Sequence, residues 1–433
     1  MRRILFTLLG ILVLSTWMLT GCTSSSDPDD EDPPVLDYVG SETCAECHGP
    51  SSRGVDYYTP WVESGHPYKL VKINGEAPVG SYPEFADFPN DFALDLPGDY
   101  TWDMISYVIG GYGWKMRWIA NDGYIITATH NNQYNFETDT YSDYHFDDPN
   151  GSKPYDCGGC HTTGWVYDED WETDNDTSDN QDGMEGMAGT FFAGGVHCEA
   201  CHGMGSQHVF SREYNMTVDA SSADCGRCHT RGGVNGVEPG EESIEASSGF
   251  IKHHEQYDEW FHSPHNVSYG PGCNTCHDPH ASVRFDGDAA GDGVDAVNTC
   301  EACHVDGDHA NILTTNHPVD TCTMCHMPKA GRSAVNINDY QGDVNTHIWT
   351  INTDPVGKLD GMFNEGSTAV LQDDEGMVAI TLDFACYGCH VDLEGQGGEN
   401  TGYPARALSL QDLSDKALGV GAYEGSPMHT LVP

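Results

Sequence analysis

The sequence predicts a mainly α, loop-rich chain whose short helices and irregular connections wrap around covalently attached groups, with one small β-hairpin or sheet near residues 100–146. Three observations predict it. A five-residue pattern, C-x-x-C-H, recurs eight times in 433 residues. The composition, 38% hydrophobic with 50 Gly and 22 Pro, favours turns and wrapping over long regular elements. The longest interval free of the pattern, Lys72 to Tyr155, contains the aromatic and β-branched run YTWDMISYVIGGYGWKMRWIANDGYIITATHNNQYNF, punctuated by Gly-Gly and Asn-Asp-Gly. A chain this long ordinarily forms two or three domains around apolar cores. That prior weakens when attached groups bring their own apolar surface.

The eight pentads are Cys44/Cys47/His48, Cys157/Cys160/His161, Cys198/Cys201/His202, Cys225/Cys228/His229, Cys273/Cys276/His277, Cys300/Cys303/His304, Cys322/Cys325/His326 and Cys386/Cys389/His390. This is the attachment signature of c-type haem: two thiols become thioethers on the porphyrin, and the adjacent histidine binds the iron. Zinc knuckles, disulfides and thioredoxin-type redox pairs leave the histidine after every second cysteine unexplained. The expectation is eight covalently bound haem c groups, numbered here in chain order, with folding coupled to their attachment.

The N-terminus opens on Arg2 and Arg3, runs through an apolar segment from Ile4 to Leu19 and ends in Leu-Thr-Gly-Cys at Cys22. That is the pattern of a signal peptide with a lipidation site at Cys22, too short for a spanning helix; the plainer reading is a signal peptide with an incidental cysteine. The seventeen cysteines then balance, sixteen in pentads and one on lipid. Residues 1–21 read as signal peptide and 22–36 as a lipidated acidic tether. Residues 37–156 carry haem 1 and the aromatic β-rich segment, 157–390 form a cytochrome body with haems 2–8, and 391–433 form a C-terminal tail. Thr23 after Cys22 favours outer-membrane sorting, so the expected place is an exported lipoprotein on the periplasmic or cell-surface face of the outer membrane.

The formal net charge is −50, from 68 acidic against 18 basic residues. This excludes nucleic acid as a partner and suits cationic partners, divalent metals or solubility at a cell surface. Two Asp-rich loops, Asp168–Gly183 and Phe285–Asp295, make calcium a candidate ligand; neither has EF-hand spacing, and a solvated acidic loop is the simpler reading.

Whether each haem carries a second histidine decides the chemistry. With histidine on both faces the iron is saturated and suits outer-sphere electron transfer; an open face binds substrate. Of 22 histidines, eight lie in pentads, which leaves fourteen for eight distal positions. The candidates by setting are His66, His208, His254 with His253 as register alternative, His265, His280, His317, His347 and His429. His197, His309, His262, His130 and His145 stand in reserve. His280, three residues past His277, is placed to reach a neighbouring haem.

The strings GVHCEACHGMGSQH, HEQYDEWFHSPH, CNTCHDPH and CTMCHMPK resemble the multihaem c-type cytochrome superfamily that includes octahaem hydroxylamine oxidoreductases, octahaem tetrathionate reductases and pentahaem nitrite reductases. The resemblance covers about Tyr38–His66 and Cys157–His390. It implies closely stacked haem pairs, bis-histidine ligation of most haems and mostly helical scaffolding. The reductases of that superfamily commonly carry lysine in place of the proximal histidine at the catalytic haem, and this chain has no C-x-x-C-K. The expectation is therefore an electron carrier rather than an enzyme, serving extracellular electron transfer or anaerobic respiration. Its partners would be other cytochromes or extracellular acceptors, with a filament or homo-oligomer as a further form. The alternative is an oxidoreductase acting on a small nitrogen or sulfur compound at one open haem.

Overall fold

In the computed structural model the described residues are 34–83, 94–173, 176–216, 218–231, 243–266, 270–284, 300–304, 322–390 and 407–421. The signal peptide, Cys22, His317, His429, His309 and the loop 285–295 lie outside them.

The chain enters through α1 (Ser41–His48) and α2 (Tyr58–Glu63) and then builds a five-stranded antiparallel meander. Its strands are β1 (Leu70–Lys72), β2 (Ile105–Gly110), β3 (Lys115–Ala120), β4 (Gln133–Asn135) and β5 (Thr140–Ser142), in sequential order. The Gly-Gly pair turns β2 into β3: Gly110 and Gly111 have φ of 77° and 100°, and a Cβ on Gly110 would come within 2.5 Å of the Lys115 carbonyl oxygen. The sheet is buried on both faces because alternate residues of β3 serve two cores. Met116 and Trp118 pack with Ile73, Val108, Ile126 and Tyr134, while Ile119 packs with Leu70, Tyr107, Tyr155 and Met187. Trp118 is fully buried. Trp118→Ala is expected to cost about 3–5 kcal/mol, measured as a lower urea midpoint of the haem-loaded protein.

The rest of the chain is held by short elements: α3 (Gly158–His161), α4 (Cys198–His202), α5 (Ser206–Phe210), α6 (Ser222–His229), α7 (Gln256–Phe261), α8 (Cys273–Cys276), α9 (Cys300–Cys303), α10 (Thr323–His326) and α11 (Leu382–Cys386). A third core gathers Ile244, Phe250, Ile251, Ile348, Met362, Phe363 and Phe384. The sheet docks on the C-terminal part by polar contacts. Trp114 Nε1 donates to the Asp343 carbonyl at 3.0 Å, Lys115 Nζ to the Ser333 carbonyl at 2.6 Å, and Lys329 Nζ pairs with Glu137 at 2.6 Å.

The expectation of a mainly α fold needs correction. Among the described residues the longest helix, α12 (Leu410–Leu418), has nine residues, and the sheets are small and numerous. The physical reason lies in the pentads. Their helices carry cysteine and histidine where an apolar stripe would recur, so nothing extends them. None of the described helices is long and apolar enough to cross a membrane.

Candidate functional site

A C-x-x-C-H sequence coiled into one helical turn puts its first cysteine and its histidine at i and i+4, on one face. The structure has this turn: the backbone N–H of His277 donates to the Cys273 carbonyl at 2.9 Å, His304 to Cys300 at 2.8 Å, His326 to Cys322 at 3.0 Å and His390 to Cys386 at 2.8 Å.

Four pentad histidines face a second histidine at nearly one separation. Ring centroids lie 6.3 Å apart for His161 and His254, 6.3 Å for His202 and His280, 6.0 Å for His277 and His347, and 6.0 Å for His304 and His265. An imidazole nitrogen binds a metal at about 2 Å and sits about 1.1 Å from its ring centre, so two imidazoles on opposite faces of one iron span roughly 6.3 Å. A direct ring stack would be closer, with centroids nearer 4.5 Å. Nδ1 of His161, His265 and His347 is buried without a hydrogen-bond partner, which a folded interior rarely leaves uncompensated. Burial also holds these rings neutral, the form that binds metal: the pKa values of His161 and His347 fall to about 3, and that of His265 is lowered. His254 adopts φ of 68°, a left-handed conformation that a non-glycine residue keeps only where its surroundings impose it.

The other candidates fare differently. His66 is neutral by burial, with a pKa lowered to about 3, and it feels the charges of Lys69, His229 and His280. His208 turns Nδ1 to the Tyr214 carbonyl at 2.8 Å, and no pentad histidine is seen beside its ring among the described residues. The reserves are engaged elsewhere. His197 bonds Ser41 Oγ and the Gly194 carbonyl, His262 bonds the Gly376 carbonyl and Gln372, His130 bonds Asp143, and His145 bonds Asp148. His326 sets Nδ1 on the Trp349 carbonyl at 2.8 Å, which orients its ring. Beside His48 the neighbouring ring is Tyr57, at 6.4 Å.

The pentads also touch one another. The thiols of Cys44 and Cys198, Cys160 and Cys228, and Cys225 and Cys273 lie within hydrogen-bonding reach. Two of these contacts share a device that sequence reasoning missed. α1 reads SETCAECH and α6 reads SADCGRCH; Ser41 Oγ accepts the Cys198 N–H at 3.4 Å, and Ser222 Oγ accepts the Cys273 N–H at 3.0 Å. The signal was a serine three residues before the first cysteine. Weaker neighbour effects extend the series: Cys201 is pushed up to about 11 by burial and then by Asp224 and Cys228, Cys276 is raised by burial and then Cys303, His265 feels His304 and His326, and Cys325 rises to about 11 by burial and then Cys389.

Cys47, the second thiol of the first pentad, is exposed. A terminal nitrogen of Arg212 lies 4.0 Å from its Sγ, too far for a strong contact. The reason is local. α1 ends at His48, so Cys47 sits on its last turn, beyond the contact that seats Cys44 against Cys198. The second cysteines Cys201, Cys276, Cys303 and Cys389 are exposed in the same way.

α7 packs acidic side chains among these rings. Glu259 accepts from Thr346 Oγ1 at 2.8 Å and from the His347 N–H, so it positions His347. Burial raises Glu259 to about 7; burial and then Asp258 and Glu259 raise Glu255 to about 9. A carboxyl whose pKa is raised on folding binds its proton more tightly in the folded state. Its contribution to stability is complete below about 4.3 and is lost as pH rises through 7 and then 9. The urea midpoint of the haem-loaded protein is therefore expected to fall between pH 5 and pH 8, by on the order of 3 kcal/mol for Glu259.

The described part of the first Asp-rich loop spends its carboxylates on other partners. Asp182 is taken by Lys72 Nζ at 2.8 Å and the Tyr107 hydroxyl at 2.6 Å, Asp176 caps Ser178, and no cluster of three metal-binding side chains occurs among the described residues. The donor set fits haem: paired neutral imidazoles, unpartnered ring nitrogens, and two thiols beside each pentad histidine. Haem would be held by those thiols and histidines and would supply one-electron iron chemistry.

The chain has the fold of the multihaem c-type cytochromes. The solved structure of the octahaem sulfite reductase MccA of Wolinella succinogenes aligns with a TM-score of 0.50 at 19% identity, over 82% of this chain and 66% of that one, so this chain spans slightly less than two thirds of it. The outer cell wall cytochrome OcwA aligns at 0.47 and 17% identity over 87% and 86% of the two chains. The undecahaem S-layer cytochrome of Carboxydothermus ferrireducens aligns at 0.40 and 15% over 70% and 52%. No family model matches the sequence. No curated protein matches it either.

Proposed function

We propose that this chain is an octahaem c-type cytochrome lipoprotein that passes single electrons by outer-sphere transfer, at the outer membrane or cell surface, to other cytochromes or extracellular acceptors. The observation that carries the reading is the four histidine pairs at 6.0–6.3 Å, each of which would saturate one iron from both faces. A saturated iron exchanges electrons without binding substrate and keeps its geometry in both oxidation states. The proximal ligands are His48, His161, His202, His229, His277, His304, His326 and His390. His254, His280, His347 and His265 complete haems 2, 3, 5 and 6, and His66 is a further distal candidate. Touching thiols join haem 1 to haem 3, haem 2 to haem 4 and haem 4 to haem 5, and we extend this to an order 1–3–4–5–6–7–8 from the weaker mutual influence of the remaining pentads.

A second reading keeps one substrate-binding haem for a small nitrogen or sulfur compound. It is favoured at haem 1, where Tyr57 is the ring beside His48. Electron paramagnetic resonance of the oxidised protein separates the two. Low-spin ferric signals alone support the carrier; a high-spin signal that responds to nitrite or hydroxylamine supports the enzyme.

A further inference from the structure

One residue of this chain meets histidines assigned to three haems. Trp349 stands between the distal histidines His265 and His347, its ring centroid 4.3 Å from the first and 5.6 Å from the second. Both contacts are edge-on, with interplanar angles of 79° and 84°. The backbone carbonyl of Trp349 accepts from Nδ1 of His326, the pentad histidine of haem 7, at 2.8 Å. His265 faces His304 of haem 6, and His347 faces His277 of haem 5.

The chain holds Trp349 there against its own preference. The Thr350 N–H donates to the Ile348 carbonyl at 2.7 Å, which closes a three-residue turn centred on Trp349, whose φ is 58°. A γ-turn of positive φ is rare and strained, and a bulky side chain at its centre is a genuine outlier. The turn is fixed from both sides. Ile348 is fully buried in the third core, and the Thr350 carbonyl accepts from the Ile380 N–H at 2.9 Å. Trp349 itself is partly buried and belongs to none of the apolar cores of the described residues, so core packing does not account for the strain.

The ring planes show what the indole does. The His265 and His304 rings are crossed at 86°, whereas those of His277 and His347 meet at 48°. A histidine on a metal is usually kept from turning about its bond by a hydrogen bond at the other ring nitrogen. Nδ1 of His265 and Nδ1 of His347 are buried without a hydrogen-bond partner. The indole edge of Trp349 supplies a contact against rotation in both cases.

We propose that Trp349 is a positioning residue shared by haems 5, 6 and 7: its indole holds the His265 ring crosswise to His304 and braces the His347 ring, and its carbonyl fixes the plane of His326. The proposal rests on the haem-loaded reading above. The angle between two axial imidazoles sets the spacing of the iron d orbitals. Crossed planes give a highly anisotropic low-spin ferric resonance, and planes nearer parallel give a rhombic one. Trp349 thereby gives haem 6 a ground state of its own, and one strained turn sets the ligand planes of three neighbouring carriers.

The test is electron paramagnetic resonance of the oxidised, haem-loaded protein, with haem content measured on the same samples. The haem 6 and haem 5 components are identified as the low-spin signals lost in His265→Ala and His347→Ala. In wild type the haem 6 signal is expected to be highly anisotropic. Trp349→Gly removes the indole, keeps the carbonyl and suits a positive φ. Its expected result is full haem content, a haem 6 signal moved to the rhombic kind, a shifted haem 5 signal and all other low-spin signals unchanged. Trp349→Phe, which keeps an aromatic edge, is expected to retain the wild-type haem 6 signal. A rhombic haem 6 signal in wild type, or one unmoved in Trp349→Gly, overturns the proposal and leaves the carrier reading intact. Loss of haem from the glycine variant also overturns it, because the indole would then be scaffold. A His265→Ala variant that gains no high-spin signal overturns the pairing of His265 with His304, and the proposal with it.

Discussion

Produced without haem attachment, the chain is expected to lose cooperative folding of residues 157–390 while the five-stranded sheet region survives as its protease-resistant part. The argument starts from the pentad helices. α3, α8, α9 and α10 have four residues each and α4 has five, far below the length at which a helix holds itself in water. Their cysteines are partly or fully exposed, and among the described pentad residues those that join the apolar cores belong to the last pentad, Tyr387 within one and Cys386 at the margin. What faces inward at these places is imidazole with unpartnered nitrogen, at His161, His265 and His347. Without iron and porphyrin these groups are buried polar atoms with no compensation, each costing about 1–3 kcal/mol. Three such sites cost about 3–9 kcal/mol together, a large share of the 5–15 kcal/mol by which a domain is usually stable. The sheet differs because Val108, Met116, Trp118 and Tyr134 form a core of their own. Limited proteolysis and far-ultraviolet circular dichroism of chain made without haem maturation check this; a protease-resistant cytochrome body in haem-free material would refute it.

Replacing His347 by alanine is expected to convert one low-spin haem to high spin and slow electron passage between the two ends of the protein by about tenfold, equivalent to about 1.4 kcal/mol on the barrier. His347 faces His277 at 6.0 Å, and haem 5 lies in the middle of the proposed order. Loss of one axial ligand changes the potential and the geometry of the iron, the two quantities that outer-sphere transfer depends on. The substitution spares the scaffold, since Glu259 holds this segment through Thr346 Oγ1 and the backbone N–H of residue 347. His262→Ala is the control. Its ring nitrogens are occupied by the Gly376 carbonyl and Gln372, so the haem spectrum is expected to stay as it is.

The pentads were legible in the sequence because covalent chemistry demands fixed spacing within five residues. The β-rich stretch was legible too, through its Gly-Gly turn and aromatic alternation, although its first strand, Leu70–Lys72, lies outside the stretch near 100–146 that was read as sheet. The histidine pairing was not. His254, His265, His280 and His347 stood out by their settings, but which pentad each one faces depends on contacts between segments dozens of residues apart, and no local pattern encodes that. His208 was singled out for its position after a pentad, and its Nδ1 is set on the Tyr214 carbonyl. The low helical content was missed because family resemblance stood in for periodicity, and the pentads have none. Lys329, without an evident role in its Met-Pro-Lys context, ties the sheet to the body through Glu137.

The most direct test of the account is the position of iron, read from anomalous diffraction at the iron edge in crystals of the haem-loaded protein. Eight iron peaks are expected, four of them midway between His161 and His254, His202 and His280, His277 and His347, and His304 and His265. Fewer than eight peaks, or any of these four pairs without an iron between its rings, would contradict it.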